Sequence, residues 1–329
     1  MKHILPYLSQ HQRLSKEAAY ELLLAMTRGE LNDAQMAGIL TAFIMRPMSV
    51  EELMGFREAL LELRKPVKFK DAVTIDLCGT GGDGKNSFNI STLSAVVVAA
   101  SGHKVVKHGN YGVSSLCGSS NVLESLGYQF ISDETALQER LDRSNLVFLH
   151  APLFHPAMKA VAPVRRALGV KTFFNMLGPL VNPAIPSHQL IGVYDLELLR
   201  LYQHLHEHLE RDYALIHGLD GYDEISLTGH LKLITRKGEQ YLHPEDFGLE
   251  TITSESIHGG ETIEEAADIF MRVLNGEGTP EQRAVVGANA GLAIHLLEAQ
   301  LSLKGAVSKA LAALDNGTAK ATFEKALIQ

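Results

Sequence analysis

The chain has 329 residues, of which 46% are hydrophobic and 21% are charged, and its formal net charge is −8. This length allows one large domain or two smaller ones, and the composition is ordinary for a soluble globular protein with an apolar core. The acidic balance argues against a nucleic-acid surface, because a phosphate backbone requires a basic face, but it leaves phosphorylated small molecules open as ligands.

The compartment is indicated by the cysteines and by the apolar runs. Two cysteines, Cys78 and Cys117, do not suggest a disulfide framework. The first residues lack the apolar stretch of a signal peptide, and no apolar run reaches the ~18 residues of a membrane-spanning helix. We therefore expect a cytoplasmic protein with no membrane span.

Residues 1–66 have a helical pattern. Apolar residues recur at helical spacing in 17–26, a capping sequence precedes a second helix at 32–45, and Ser49 with Glu52 forms a capping box before a third helix that ends near residue 63. This segment predicts a small helical domain, whose Met and Leu stripes form a core or a dimer surface.

From residue 67 onward, short β-branched runs alternate with helical segments. The runs are 73–77, 104–106, 146–149, 189–193 and 213–216. This alternation predicts an α/β domain with a mostly parallel sheet covered on both faces. In such sheets ligands bind at the carboxyl ends of the strands.

A glycine-rich turn, 79–84, follows the first of these strands, and a helix is predicted after it at 93–100. Glycines let the backbone approach a ligand closely, and a helix start presents unpaired N–H groups to an anion. Ser91 and Thr92 lie where N-cap hydroxyls belong. The spacing matches neither a Walker A loop nor a dinucleotide fingerprint. We interpret the turn as a phosphate cradle, the alternative being an ordinary flexible turn.

A second loop, 106–120, leaves the next strand and leads into a helix at 121–126. Lys107 is a mobile point charge suited to a phosphate, and the small residues of 109–120 let backbone N–H groups approach an anion. A loop of this length is usually functional or disordered. Its position between strand and helix favours a function.

Further helices are predicted at 133–143 and 156–168. The second carries Arg165 and Arg166 ahead of an apolar turn bounded by prolines. An arginine in this position could hold a carboxylate with its planar fork. The alternative is a solvated helix face.

Two groups of possible metal ligands occur in the next segment. His204 and His208 share one face of a helix predicted at 196–211, and we favour surface histidines there over a metal pair. Asp223 and Glu224 follow the strand 213–216 and suit Mg²⁺ with phosphates completing its shell. The alternative for these acids is a solvated turn.

The remainder of the chain predicts a hairpin and then helices. The runs 231–234 and 240–242 flank a Lys-Gly turn, which indicates antiparallel strands. Residues 262–329 return to a helical pattern, in which 289–291 supply small residues where a helix packs closely.

Four stretches together resemble the anthranilate phosphoribosyltransferase family. They are 79–83 with 89–92; 107–110 with Ser114, Ser115, Gly118 and Ser119; Arg165 with 175–180; and Asp223 with Glu224. Their order and spacing extend over nearly the whole chain. The first stretch is shared with pyrimidine nucleoside phosphorylases, whereas the second and third are more specific.

The resemblance implies a reaction and an assembly. The reaction is transfer of the phosphoribosyl group of phosphoribosyl pyrophosphate to the amine of anthranilate, in tryptophan biosynthesis. The helical domain 1–66 would be completed by about 156–185, and 67–329 would form the domain that binds phosphoribosyl pyrophosphate. A homodimer through the helical part and Mg²⁺, two ions with substrate bound, are also implied.

The family's site residues carry over by position. Those implied for phosphoribosyl pyrophosphate are Gly79, Gly82, Asp83, Ser87, Asn89, Ile90, Ser91, Thr92, Lys107 and Ser119. Those implied for Mg²⁺ are Ser91, Asp223 and Glu224. Those implied for anthranilate are Gly79, His108, Asn110, Arg165, Gly178 and Pro179, with Arg165 on the carboxylate. Lys107 and His108 would position substrates, and no single indispensable general base is expected.

Three positions depart from the family pattern. Tyr111 stands where an arginine is expected, Asn121 where an aspartate is expected, and Ser87 where threonine is usual. Loss of the cation at 111 would loosen the packing of the second loop or its hold on a phosphate.

Two other functions remain open. A pyrimidine nucleoside phosphorylase shares the first loop but requires a pocket for a neutral base. A non-catalytic, nucleic-acid-binding relative of this fold requires a basic groove, against which the net charge of −8 and the Asp223–Glu224 pair both argue.

Overall fold

The computed structural model describes residues 4–70, 73–112 and 117–328, so Ser114 and Ser115 of the second loop lie outside the described residues. The chain forms two compact units. The first is helical and comprises residues 1–67 and 151–183, and the second comprises 68–150 and 184–329. Among the described residues, no helix has the length and apolar character needed to cross a membrane.

The α-helices of the described chain are numbered in order. They are α1 Ile4–Ser9, α2 Lys16–Thr27, α3 Asp33–Ile44, α4 Val50–Leu63, α5 Ile90–Ala100, α6 Ser119–Ser125, α7 Glu134–Ser144, α8 Ala151–Phe154, α9 Ala162–Leu168, α10 Phe174–Leu177, α11 Leu196–Glu207, α12 Ile263–Leu274, α13 Pro280–Leu297, α14 Leu303–Asp315 and α15 Thr318–Leu327. Short 3₁₀ segments are Pro156–Ala160, Gly178–Leu180, Pro244–Phe247 and Ser254–Ile257.

The helical unit is held by local caps and one buried ion pair. The predicted capping box of Ser49 and Glu52 is confirmed at the start of α4. The Glu52 carboxylate is fully buried, and it also accepts from the Leu14 N–H at 2.8 Å and from Arg46 Nη1 at 2.9 Å. These contacts connect α4 to the segments before α2 and after α3. Removal of either partner of the ion pair would be strongly destabilising, because it would leave a buried charge without a partner.

Two predicted helices are shorter than expected. The single helix predicted at 156–168 is wrong, because a 3₁₀ turn ends at Ala160 and α9 begins afresh at Ala162. Pro163 has no N–H and its ring clashes with the carbonyl four residues earlier, so it is tolerated only in a first turn. The helix predicted at 196–211 ends at Glu207, and Arg211 instead binds Gln189 Oε1 of the sheet at 2.5 Å.

Stability at low pH is expected to depend on His155 of the helical unit. Burial lowers the pKa of His155 from 6.5 to about 4, and its Nε2 lies 2.9 Å from the Val181 carbonyl oxygen. Because the unfolded chain then binds more protons below neutral pH, the fold loses about 3 kcal/mol as the pH falls from about 6.5 through 4. The free energy of unfolding, measured by urea denaturation at several pH values, should therefore fall by about 3 kcal/mol less in His155→Gln than in the native protein over this pH range.

The control for this substitution is His204→Gln, at an exposed position on α11. Equal losses of unfolding free energy in the native protein and in His155→Gln between pH 7 and pH 4 would rule out His155 as the responsible group.

The second unit is built on a seven-stranded sheet. Its strands are β1 Thr74–Gly79, β2 Lys104–Gly109, β3 Leu146–His150, β4 His188–Gly192, β5 Asp212–Gly218, β6 Leu231–Thr235 and β7 Gly238–Leu242. Their spatial order is β3-β2-β1-β4-β5-β6-β7. The first five strands in this order, β3, β2, β1, β4 and β5, are parallel. The predicted α/β class with a mostly parallel sheet is confirmed, as is the antiparallel β6–β7 hairpin.

The strand order places a crevice between β1 and β4. After β1 the chain returns at β2 on one side, whereas after β4 it returns at β5 on the other. Such a switch point, at the carboxyl ends of the strands, is where α/β sheets bind ligands. β1 and β4 pair as far as Gly79 and Gly192, so these two glycines mark the floor of the crevice.

Candidate active site

The first loop leaves β1 directly beneath Asp223. A Cβ atom at Gly79 would lie 2.4 Å from Asp223 Oδ2, so only glycine admits this approach. The Gly81 N–H donates to the same oxygen at 2.7 Å, and Gly81 has a φ of 65°, a conformation that favours glycine. The glycines therefore seat a carboxylate over the end of β1.

The start of α5 differs from the prediction. Ser91 and Thr92 are not N-caps, because the carbonyl of Asn89 already accepts the Leu93 N–H at 3.0 Å and makes Asn89 the cap. Ser91 lies in the first turn, where its N–H donates to Glu224 Oε1 at 2.9 Å. Its hydroxyl accepts from Lys107 Nζ at 3.2 Å. The first turn of α5 thus faces both an acid and a cation.

Three carboxylates face this region. Burial, then the charges of Glu224 and Asp83, raise the pKa of Asp223 well above its usual range. Burial raises the pKa of Glu224 to about 7, against the Ser91 N–H and Lys107, which lower it. A cation beside these acids would stabilise their charged forms and so offset the free-energy cost of ionising them in a buried position.

The oxygen donors in this region fit Mg²⁺. Two carboxylates and the Ser91 hydroxyl are hard ligands of the type that Mg²⁺ prefers, and substrate phosphates usually complete its shell. In the described parts of the chain, no three His, Cys, Asp or Glu side chains form a ready-made metal cluster. The residues therefore suit an ion that arrives with a phosphorylated substrate.

The turn after β5 brings Asp223 and Glu224 back over the sheet. The Gly218 N–H donates to the Tyr222 carbonyl at 2.9 Å and closes this turn. A Cβ atom at Gly192 would lie 1.4 Å from the Asp223 carbonyl oxygen. Sequence reasoning missed Gly192, although a glycine at the end of a strand often marks a close backbone approach.

Lys107 and His108 lie within β2 and not in the loop, because this strand extends to Gly109, beyond the predicted end at 106. Lys107 is 3% exposed and also donates to the Leu77 carbonyl of β1. The His108 N–H donates to the buried Asp76 carboxylate at 3.2 Å. Both side chains therefore start from a fixed strand, and Asp76 is a supporting residue that sequence reasoning missed.

The second loop is closed by polar contacts between its two ends. The Ser119 hydroxyl donates to the Asn110 carbonyl at 3.3 Å. Asn121 Oδ1 accepts from Gly112 N at 3.1 Å and from Gly118 N at 3.2 Å, which an aspartate could also do. The departure at 121 therefore preserves the closure of the loop.

Tyr111 takes up contacts with α6 and β3. Its hydroxyl donates to Glu124 Oε1 at 2.9 Å, and its ring lies 4.6 Å from the ring of His150. At the position where the family pattern predicts an arginine, Tyr111 thus attaches the loop through a ring contact with His150 and a hydrogen bond to Glu124.

Ser87 and Asn89 are tied to distant segments. Ser87 forms an isolated bridge with His258, and a Cβ atom at Gly259 would lie 2.6 Å from the Ser87 carbonyl oxygen. Asn89 Nδ2 donates to the Cys117 carbonyl at 3.2 Å, which joins the first loop to the second. The sequence patterns did not predict that residues 258–259 contact Ser87.

The remaining predicted anthranilate residues belong to the helical unit. Arg165 of α9 lies 5.0 Å over the Phe174 ring, with Nη2 3.5 Å from Asn175 Oδ1, and burial lowers its pKa. Gly178 and Pro179 form the 3₁₀ segment that follows α10. Within this unit Arg165 is therefore a half-buried cation beside an aromatic ring.

The two histidines considered as a metal pair are both exposed near the end of α11. His204 is exposed and lies 3.4 Å from Glu207, and His208 follows α11 as its C-cap. This agrees with the interpretation as surface histidines.

Comparison with known proteins covers both units. Residues 2–63 match the family model described as "Glycosyl transferase family, helical bundle domain", and 71–320 match "Glycosyl transferase family, a/b domain". Anthranilate phosphoribosyltransferase of Cytophaga hutchinsonii is 50% identical over 99% of this chain and 100% of its own. That of Flavobacterium psychrophilum is 54% identical over 89% of each chain.

Solved structures extend this similarity to the fold. Anthranilate phosphoribosyltransferase from Thermus thermophilus superimposes with a TM-score of 0.91 at 36% identity, covering 98% of each chain. The enzyme from Saccharomyces cerevisiae, solved in complex with PRPP and Mg, gives 0.90 at 26% identity over 98% of this chain and 95% of that chain. With half of its residues identical to a relative over the full length, this chain belongs to the anthranilate phosphoribosyltransferase family.

Proposed function

We propose that this protein transfers the phosphoribosyl group of phosphoribosyl pyrophosphate to the amine of anthranilate, giving N-(5-phosphoribosyl)anthranilate and pyrophosphate in tryptophan biosynthesis. The observation that carries the proposal is the meeting of Asp223, Glu224, Ser91 and Lys107 at the β1–β4 switch point. Relatives named for this activity, and the complex of the yeast enzyme with PRPP and Mg, support it.

Phosphoribosyl pyrophosphate would bind along the first loop and β2. The residues proposed to contact it are Gly79, Gly82, Asp83, Ser87, Asn89, Ile90, Ser91, Thr92, Lys107 and Ser119. Ser91, Asp223 and Glu224 would hold Mg²⁺, two ions when substrate is bound. Bound Mg²⁺ would neutralise charge on the pyrophosphate leaving group.

The chemistry requires little acid–base catalysis. The amine of anthranilate is a free base at neutral pH, so it attacks C1 of the ribose directly. The C1–N bond forms as the C1–O bond to pyrophosphate breaks, and the amine proton is released to solvent. Lys107 and the N–H groups at the start of α5 would stabilise the departing charge, and orientation of the two substrates contributes much of the remaining acceleration.

Anthranilate would be recognised by Gly79, His108, Asn110, Arg165, Gly178 and Pro179. Arg165 would hold the carboxylate, because a guanidinium fork matches a carboxylate in geometry and charge. Arg165→Ala is expected to raise the KM for anthranilate about 10- to 100-fold, the loss of a charge-assisted hydrogen bond, with little change in the KM for phosphoribosyl pyrophosphate. Steady-state kinetics with each substrate varied in turn measure this.

Arg166→Ala, on the exposed side of the same helix, is the matched control. An equal rise in both KM values for Arg165→Ala, or none, would remove Arg165 from the anthranilate site.

We also propose a cytoplasmic homodimer, with no nucleic-acid or membrane partner. Ile44 and Met45 are 45% and 74% exposed on the helical unit, and a second copy of the chain would cover such apolar side chains. Both cysteines are free thiols, as a reducing compartment would keep them. Sedimentation equilibrium measures the oligomeric state.

The deciding experiment mixes the purified protein with anthranilate, phosphoribosyl pyrophosphate and Mg²⁺, and follows the loss of anthranilate fluorescence. A decay that requires all three components is expected. Phosphorolysis of thymidine or uridine instead would favour the nucleoside phosphorylase alternative, and a salt-dependent gel shift without either activity would favour the nucleic-acid-binding one.

A further inference from the structure

One side chain of α13 holds the backbone next to the acidic pair. Asn289 is 3% exposed, and its Nδ2 donates to the Ile225 carbonyl at 2.8 Å and to the Val285 carbonyl at 2.9 Å. Its Oδ1 accepts from the Ile225 N–H at 3.1 Å. A single carboxamide therefore satisfies both backbone groups of the residue that follows Glu224, which an apolar side chain cannot do.

The turn that carries the acids is thereby fixed at both ends. On one side, the Asp223 carbonyl packs against the Cα of Gly192 at the end of β4. On the other, the carboxamide of Asn289 holds Ile225, whose own side chain is 1% exposed. Between these two supports lie the Asp223 and Glu224 side chains. Their direction follows from where this short backbone segment is held.

The same helix also supports the third oxygen donor. The Ser94 hydroxyl of α5 lies 3.4 Å from the Val286 carbonyl of α13, one turn beyond Ser91. The Ser91 N–H in turn donates to Glu224 at 2.9 Å. α13 is thus a common base for the two elements that present Ser91 and Glu224.

We propose that Asn289 is the positioning residue that sets the Asp223–Glu224 pair against Ser91 and so determines the affinity of this site for a divalent cation. The inference rests on the proposed function of the acids as cation ligands. The hydrogen bonds of Asn289 go to backbone groups of Ile225 and Val285, so its proposed action is through the backbone of Ile225. A side chain that only fills the core would stabilise the protein without changing its response to the cation.

The test measures binding of Mn²⁺, in place of Mg²⁺, by electron paramagnetic resonance in the presence of inorganic pyrophosphate. Asn289→Leu removes all three hydrogen bonds at similar volume. We expect its dissociation constant for Mn²⁺ to rise about 10-fold or more, the usual effect of removing an outer-shell partner. The Mg²⁺ concentration for half-maximal activity should rise in parallel, while the KM for anthranilate stays within about twofold.

Leu292→Ala is the matched control, since it lowers stability by removing buried apolar volume from the same helix and leaves the three hydrogen bonds of Asn289 in place. Asn289→Gln keeps the carboxamide but lengthens the side chain, and it is measured should Asn289→Leu fail to fold. A folded Asn289 variant that binds Mn²⁺ within twofold of the native protein would overturn the inference, as would a control that loses affinity equally.

The cation measurement contains no anthranilate, so it separates this inference from the proposed reaction. Failure of the native protein to consume anthranilate contradicts only the proposed reaction. Failure of the native protein to bind Mn²⁺ with pyrophosphate contradicts both.

Discussion

Replacing Asp223 by Asn and Glu224 by Gln together is expected to lower Mg²⁺-dependent turnover at least about 100-fold, because the site then loses the charges that hold the cation against the leaving group. The protein should nevertheless fold and should unfold at a higher temperature. Burial raises the pKa of both acids, which means that the fold favours their neutral forms. A neutral carboxamide has no such cost of ionisation.

The pH dependence of this stabilisation has a definite sign. A carboxyl group with a raised pKa in the fold destabilises the protein as the pH rises from its unfolded pKa, about 4, through the folded value, about 7 for Glu224. The difference in melting temperature between the double variant and the native protein, without Mg²⁺, should therefore be larger at pH 8 than at pH 4.

A matched control has the same change in charge at exposed positions of the same unit, Glu210→Gln with Glu250→Gln. Its kinetics should equal those of the native protein. Unchanged Mg²⁺-dependent turnover in the Asp223, Glu224 double variant would contradict the assignment of these acids as cation ligands.

Gly192→Ala is expected to lower turnover at least about 100-fold, although it replaces no charged residue. Displacements of about 1 Å can have an effect of this size on a catalytic site. The added Cβ would lie 1.4 Å from the Asp223 carbonyl oxygen. β4 cannot move away easily, because Gly192 pairs with Gly79 on one side and with Ile216 on the other. The turn that carries Asp223 and Glu224 must therefore shift.

Steady-state turnover, melting temperature and Mn²⁺ binding together measure the effect of Gly192→Ala. Gly305→Ala on α14 is the control, because the nearest atoms to its Cβ would be side-chain atoms of Leu301 and Ser302, at 3.0 and 3.1 Å. Native turnover in Gly192→Ala would show that the acidic turn does not need its close contact with β4.

The local signals in the sequence predicted most of the elements. Capping boxes at Asn32 and Ser49, and the alternation of β-branched runs with helices, depend on residues within a few positions of one another. The errors concern where elements begin and end. Pro163 interrupts the helix predicted at 156–168, and β2 extends past residue 106 because its residues 107–109 pair with β3.

For the site, sequence patterns indicated which residues could bind ligands. The family resemblance then assigned these residues to particular ligands, and those assignments remain predictions. The structure places Gly79, Ser91, Lys107, Asp223 and Glu224 at one end of the sheet. The Gly79–Asp223 contact spans more than a hundred residues of chain. No local pattern encodes such a contact.

By itself, then, the sequence determined the helical and α/β segments, the glycine-rich turn and the acidic pair, because each depends on residue types at short spacing. Only the tertiary structure decided that Gly192 forms the floor beneath Asp223 and that Asn289 holds Ile225. The reason is physical, since both contacts arise from the strand order and from the packing of α13. A glycine in a strand can indicate that some backbone approaches closely, and a buried asparagine that it is hydrogen-bonded, but neither identifies the distant segment that it will meet.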